Sequence, residues 1–367
     1  MRDFISRHLF SPLQGMTFPS WWSVLRQSRF AVDPPYWPRA AFQTAITVAN
    51  LPCARREQRK CGSRIEATHV LPPVFILGHW RQGTTHLHNL LSLDPQFAYP
   101  TLFQTLYPRS FLTTEAVIPR LGSFLLLRTR PHDNVKLDFG VPNEDELALC
   151  TDLGISSYLA WAFPREAGFY DRFLTLKEAT DDERARWRSS LLHFLKKLTL
   201  KSGRPLVLKS PPHTARIALL LDLFPMARFI HIRRDPYLVF RSTLHMYATT
   251  MRYWQLQRPL SPEFEDRILA VYRTMYDAFF DEWPSIPPSQ RCEVAYEELV
   301  RDPIGQVESI YAALGLSGFA GIRPRLQDYL ASIGGYERNT HSELPESIRQ
   351  RVAREWERCF QEWAYSR

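Results

Sequence analysis

At 367 residues the chain is long enough to bury a full core, as one large α/β domain or as a domain with an appendage. Hydrophobic residues make up 45%, as in an ordinary globular protein. The formal charge of +8 favours anionic partners: a nucleotide, a nucleic acid or an acidic membrane face. The five cysteines are odd in number and form no C-x-x-C pair, which argues against a disulfide scaffold or a zinc knuckle and for a reducing compartment. Arg2, Asp3, Arg7 and His8 interrupt the start, so no signal peptide is expected, and no apolar run approaches the ~20 residues of a membrane span. A cytoplasmic protein, with or without membrane association, is the expectation.

Residues 1–70 are rich in Trp, Phe and Arg, with Trp21, Trp22, Phe30, Trp37 and Arg26 and prolines at 34, 35 and 38. Residues 39–51 read as an amphipathic or largely apolar helix, followed by the basic run Arg55, Arg56, Arg59, Lys60 and Arg64. Two readings fit: peripheral contact with an anionic membrane, or an N-terminal helical arm packed on the core. The packed arm is the simpler one.

From residue 71 to 367 strand and helix alternate. Short apolar runs predict strands at 74–78, 205–209, 228–233 and 292–296. Helical periodicity predicts helices at 84–92, 144–153, 181–201, 214–223, 236–250, 262–283 and 304–314, with Asp181 as one N-cap. Such alternation implies an α/β fold: a P-loop-like parallel sheet flanked by helices, with ligands beyond the carboxyl ends of the strands.

Four segments carry chemistry. In the first, VFILGHWRQGTTHLHNLL (74–91), an apolar strand stops at Gly78, a loop with Gly83 follows, and a helix opens at Thr84 and Thr85. Loop amides and the helix dipole then converge on an anion. The G-x-x-x-x-G spacing is that of a nucleotide loop, but Thr84 stands where a kinase-type loop has lysine, and the fixed charge is Arg81. In the second, RFIHIRRDPYLVFRST (228–243), Arg234 ends a strand, Asp235 and Pro236 start a helix, and Ser242 follows about two turns on. An arginine and a serine so placed grip a phosphate from two sides. In the third, LVLKSPPHTARI (206–217), Lys209, Ser210 and His213 sit at another strand end. In the fourth, PNEDELAL (142–149), Glu144, Asp145 and Glu146 open a helix; acids there complement the helix dipole, and one facing an anion site can act as a general base.

Together these segments resemble the PAPS-dependent sulfotransferases of the bacterial branch, over about residues 70–350; PAPS is 3′-phosphoadenosine 5′-phosphosulfate. GHWRQGTT is similar to the family's 5′-phosphosulfate loop, with Arg81, Gly83, Thr84 and Thr85 matching and Gln82 standing where serine is common. RRDPYLVFRS resembles the 3′-phosphate motif through Arg234 and Ser242, and VAYEELVRDP (294–303) resembles a segment whose tyrosine, here Tyr296, meets the adenosine. The resemblance implies sulfuryl transfer from PAPS to an acceptor hydroxyl or amine, with Arg81, Gln82, Gly83, Thr84, Thr85, Arg234, Ser242 and Tyr296 at the nucleotide. Arg81 and Lys209 would stabilise the leaving phosphate. No metal and no nucleic acid are expected, and the acceptor is a small molecule, lipid or carbohydrate. Some family members use a His shortly after a strand-end Lys as the base; Pro211 stands at that position here, and His213 lies two residues later. Glu144 ranks first as base, then His213 and Glu146, with His86 and His88 behind. The rivals are a P-loop small-molecule kinase, which needs a lysine and an acid for Mg²⁺, and a nucleic-acid- or membrane-binding module built on the basic N-terminal region.

Overall fold

The computed structural model describes residues 11–119, 138–259, 264–333 and 344–367. The chain divides into two compact units that interleave along the sequence. One comprises residues 1–70, 100–203 and 246–262; the other comprises 71–99, 204–245 and 263–367. Residues 100–203 and 246–262 therefore go with the first 70 residues, whereas the sequence pattern drew a single boundary after residue 70. Helical segments threaded between strands can bury their apolar faces on other helices, which strand–helix alternation does not reveal.

The second unit holds the sheet. Its strands are β1 (Val74–Leu77), β2 (Val207–Lys209), β3 (Arg228–Arg233) and β4 (Arg291–Ala295). They are parallel, in the order β2-β1-β3-β4. From β1 the chain steps to β2 on one side and returns to β3 on the other, so the order reverses at β1. Beyond the carboxyl ends of β1 and β3 lies the crevice in which such sheets place ligands. The period-2 alternation of β1 decides its two faces. Val74 and Ile76 join Ile230, Ile232 and Val294 in a core covered by Leu87 and Leu90 of the helix Thr84–Leu91. Phe75 stacks on Phe229 across the sheet at 5.5 Å, on the opposite face.

Two expected boundaries shift for local reasons. The helix expected over 214–223 is a 3₁₀ turn, Pro211–Ala215, followed by a helix at Ile217–Leu223. The strand expected at 292–296 ends at Ala295, and Tyr296 begins a helix, Tyr296–Arg301.

The first unit is helical. Its longest helix, Trp37–Glu66, has 30 residues and runs through Pro52, so the basic run lies on this helix and not beyond it. In the helix Asp181–Ser202 the N-cap is Thr180, not Asp181. Thr180 accepts from the Glu183 amide and the Glu183 side chain accepts from the Thr180 amide, a reciprocal capping box. The Lys197 ammonium, on that helix, forms a buried ion pair with Glu57 of the long helix. Among the described residues no helix is long and apolar enough to cross a membrane.

Candidate active site

The loop after β1 is built on backbone that most residues avoid. Gly78 has φ +145°, and a Cβ there would lie 2.9 Å from the Ile232 carbonyl oxygen and 2.9 Å from Thr84 Cγ2. Gly83 has φ +94°, and its Cβ would meet Tyr296 Cδ2 at 2.3 Å. Between them Arg81 takes the left-handed region at φ +70°, a conformation that costs a non-glycine residue about 1–3 kcal/mol and persists where surroundings hold it.

Those surroundings are specific. The Gly78 amide donates to Thr214 Oγ1 at 2.7 Å, tying the loop to the turn after β2. The Arg234 guanidinium donates to the Arg81 carbonyl at 2.7 Å and lies 4.3 Å from the centre of the Tyr296 ring. Arg81 Nε donates to Ser242 Oγ at 2.9 Å. Asp235 caps the helix Pro236–Thr250 through the amides of Tyr237 and Leu238, at 2.8 and 3.2 Å, and so sets where Ser242 stands. Arg81, Gly83, Arg234, Ser242 and Tyr296, from three chain segments, thus form one cluster at the carboxyl ends of β1 and β3.

Gln82 points inward. It is fully buried, and its amide oxygen accepts from the His79 amide at 2.5 Å and from the Tyr276 hydroxyl. The His79 amide can only donate, which fixes the carboxamide with its oxygen on this side. The Tyr276 oxygen is also 3.4 Å from His231 Nε2, and His231 Nδ1 is 2.8 Å from a Glu293 carboxylate oxygen. Burial raises the Glu293 pKa, but the His231 hydrogen bond and the Arg233 charge outweigh it, so the carboxyl lies below its usual value. His79 is buried; desolvation lowers its pKa to about 3 despite the Trp80 carbonyl facing Nδ1 at 2.8 Å. It is therefore neutral, with its proton on Nδ1.

Lys209 is the last residue of β2, in register with Ile76, and is almost completely buried. His213 is fully buried, edge-on to Phe75 at 5.5 Å. His88 is also buried, with Nε2 3.3 Å from the Val207 carbonyl, so its ring packs beneath β2. Glu144 belongs to the other unit. It is half-buried, just before the helix Asp145–Leu153, and accepts from the Tyr158 hydroxyl; Tyr158 stacks on Trp161 at 4.7 Å. Glu146 is fully buried and bound by Ser156 Oγ at 2.7 Å, so of the two it is the less accessible. Sequence reading missed Thr214 and Tyr276. Thr214 stood inside a quoted segment, beside His213; Tyr276 is 194 residues from Gln82 and carries no motif.

A glycine loop at the turning point of a parallel sheet, flanked by two arginines and a serine, marks a group-transfer enzyme that handles an anionic donor. The model of the sulfotransferase family matches residues 72–320. The chain belongs to that family and transfers a sulfuryl group to an acceptor. It is 34% identical over 354 residues to the omega-hydroxy-beta-dihydromenaquinone-9 sulfotransferase Stf3 of Mycobacterium bovis, covering 96% of this chain and 91% of that protein; Stf3 of Mycobacterium tuberculosis matches equally. Among solved structures, sulfotransferase STF9 from Mycobacterium avium superposes with a TM-score of 0.69 at 18% identity, covering 95% of this chain and 96% of that one. Sulfotransferase STF1 from Mycobacterium tuberculosis H37Rv gives 0.66 at 20%, covering 92% of each. At these identities the likeness to the two structures is one of fold.

Proposed function

We propose that the donor is PAPS and that the acceptor is a hydroxyl on an apolar, lipid-like molecule. The observation that carries the donor assignment is the joined cluster of Arg81, Ser242 and Arg234. Two guanidiniums, a hydroxyl and the loop amides at a helix start form a donor set suited to phosphate and sulfate oxygens. Tyr296, beneath Arg234, offers a ring to the adenine. Two things support the acceptor assignment. The relative of 34% identity acts on an ω-hydroxy menaquinone, and Glu144 sits beside the aromatic pair Tyr158 and Trp161.

In the reaction the acceptor oxygen attacks sulfur, the bond from sulfur to the bridging phosphate oxygen breaks, and adenosine 3′,5′-bisphosphate leaves with the electron pair. Arg81 and Lys209 stabilise the charge that grows on the leaving phosphate. Glu144 takes the acceptor proton, with His213 the alternative. Peripheral membrane contact through residues 1–70 belongs to the same reading, because a lipid acceptor resides in a bilayer.

Calorimetry with adenosine 3′,5′-bisphosphate, AMP and ATP, without added metal, tests the donor. The bisphosphate should bind most tightly, and equal affinity for AMP would remove the 3′-phosphate assignment. Turnover of PAPS with a long-chain ω-hydroxy isoprenoid, against a phenol and a sugar, tests the acceptor class. Glu144→Gln should lower turnover about 10²–10⁴-fold with nucleotide binding intact; the same loss in His213→Ala alone would transfer the role.

A further inference from the structure

The long helix Trp37–Glu66 packs inside out. Its inward face is polar. Buried Arg39 donates to the carbonyls of Arg252 and Gln255 at 2.9 and 2.8 Å. Buried Gln43 donates to the Leu13 carbonyl, and Asn50 donates to the carbonyls of Gln14 and Met16 at 2.8 Å each. Further on, Glu57 is buried against Lys197. The opposite stripe steps by three or four residues along one face: Trp37, Ala41, Ala45, Val48 and Pro52, all exposed. Trp37 is 60% and Val48 52% exposed. An ordinary surface helix turns its apolar stripe to the core and its polar stripe to water. Here the sense is reversed, and hydrogen bonds to backbone carbonyls hold the polar side in.

The same outward stripe then becomes cationic. Arg55, Arg56, Arg59 and Lys60 are exposed, and together with Pro52 they line a shallow depression. From residue 37 to 65 the one acid is Glu57, which is buried and paired with Lys197; Glu66, at the helix end, lies 3.9 Å from Lys196 of another helix. At 1.5 Å per residue the stripe from Trp37 to Arg59 runs about 33 Å, apolar along its first two thirds and basic along its last.

We propose that this face docks on an anionic lipid surface: Trp37, Val48 and their neighbours enter the headgroup–acyl boundary, and the basic depression receives lipid phosphates. The proposal extends the lipid-acceptor reading by assigning the surface that brings the enzyme to its acceptor's bilayer.

The test is sedimentation of the purified full chain with phosphatidylcholine vesicles, with and without phosphatidylglycerol and free of any acceptor. The wild type should bind the anionic vesicles, less so as salt rises. Replacing Arg55, Arg56, Arg59 and Lys60 together with serine should weaken binding about 1,000-fold. Replacing Trp37 and Val48 with serine should weaken it about tenfold while keeping the salt dependence. All these side chains are exposed, and unchanged thermal unfolding and turnover on a detergent-solubilised acceptor will show that the variants are folded. Binding indifferent to phosphatidylglycerol or to the serine variants overturns the proposal. So does a dimer that these variants split, which would make the face a contact between copies, or loss of oligonucleotide binding without vesicle binding. Because the vesicles hold no acceptor, docking on them together with no turnover of the long-chain ω-hydroxy isoprenoid would remove the acceptor reading and leave the surface standing.

Discussion

Gly83 and Tyr296 share a space that admits no methyl group: a Cβ at residue 83 would lie 2.3 Å from Tyr296 Cδ2 and 2.7 Å from Cε2. The ring cannot give way freely, because the Arg234 guanidinium lies on it at 4.3 Å. Gly83→Ala must both strain a φ of +94° and displace that ring. It should cost about 1–3 kcal/mol in stability and weaken the bisphosphate nucleotide. In the Gly83→Ala background, Tyr296→Ala should cost less than it does in the wild type, since the ring is then already displaced. Thermal unfolding and calorimetry of the double-mutant cycle read the coupling; strict additivity would mean that the two residues do not compete for this space.

Arg234 does two things at once, holding the carbonyl of the left-handed Arg81 and stacking on Tyr296. Arg234→Ala should weaken adenosine 3′,5′-bisphosphate by about 1.5–3 kcal/mol, the range for a hydrogen bond to a charged group. Arg234→Lys should recover little, because an ammonium lacks the planar fork that makes both contacts. A lysine variant of wild-type affinity would show that charge alone matters.

Gln82 and Tyr276 give the third prediction. Tyr276→Phe leaves the Gln82 oxygen with the His79 amide alone and loosens the loop from beneath. Affinity for adenosine 3′,5′-bisphosphate should fall about tenfold, of the order of one hydrogen bond. Affinity for adenosine 3′-monophosphate, which lacks the 5′-phosphate, should hold. Gln82→Glu, which keeps the acceptor oxygen, should be milder than Gln82→Met. Equal loss for both nucleotides would mean general damage to the fold. Loss in Gln82→Met with none in Tyr276→Phe would mean that Gln82 itself touches the donor.

The sheet and the glycine loop after β1 were legible because their signals are local. Val74 to Leu77 is an apolar run closed by a glycine, and Arg234, Asp235 and Pro236 mark a strand end and a helix start within three residues. What holds the loop was not legible, since Thr214 and Tyr276 reach it across 136 and 197 positions, and helical periodicity says nothing of what their hydroxyls bind. The long helix misled for a different reason. Residues 39–51 read as an amphipathic or largely apolar helix, but nothing in the sequence says that Arg39, Gln43 and Asn50 find backbone carbonyls, and those bonds turn the apolar stripe outward. The capping box at Thr180 and Glu183 was readable, and the acids at 181 and 182 drew attention from it.

His79 supplies a pH dependence whose sign follows from its burial. Its folded pKa is about 3, against 6.5 for an exposed imidazole. Below pH 6.5 the unfolded chain takes up a proton that the folded chain refuses, so acid favours unfolding. The contribution of His79 to stability is complete above pH 6.5 and is lost progressively between there and about 3. The slope approaches about 1.4 kcal/mol per pH unit for one such group. His79→Phe keeps a ring against Tyr272, 4.9 Å away in the wild type, and removes the titrating nitrogens. Denaturant titrations at pH 7, 6 and 5 should therefore show the wild type losing stability faster than the variant on acidification, with parallel behaviour above pH 7. All other titrating groups are common to both proteins, so the difference between the two curves isolates this one. Parallel curves from pH 7 to 5 would show that His79 accepts a proton in the folded protein and is not held neutral beneath the loop.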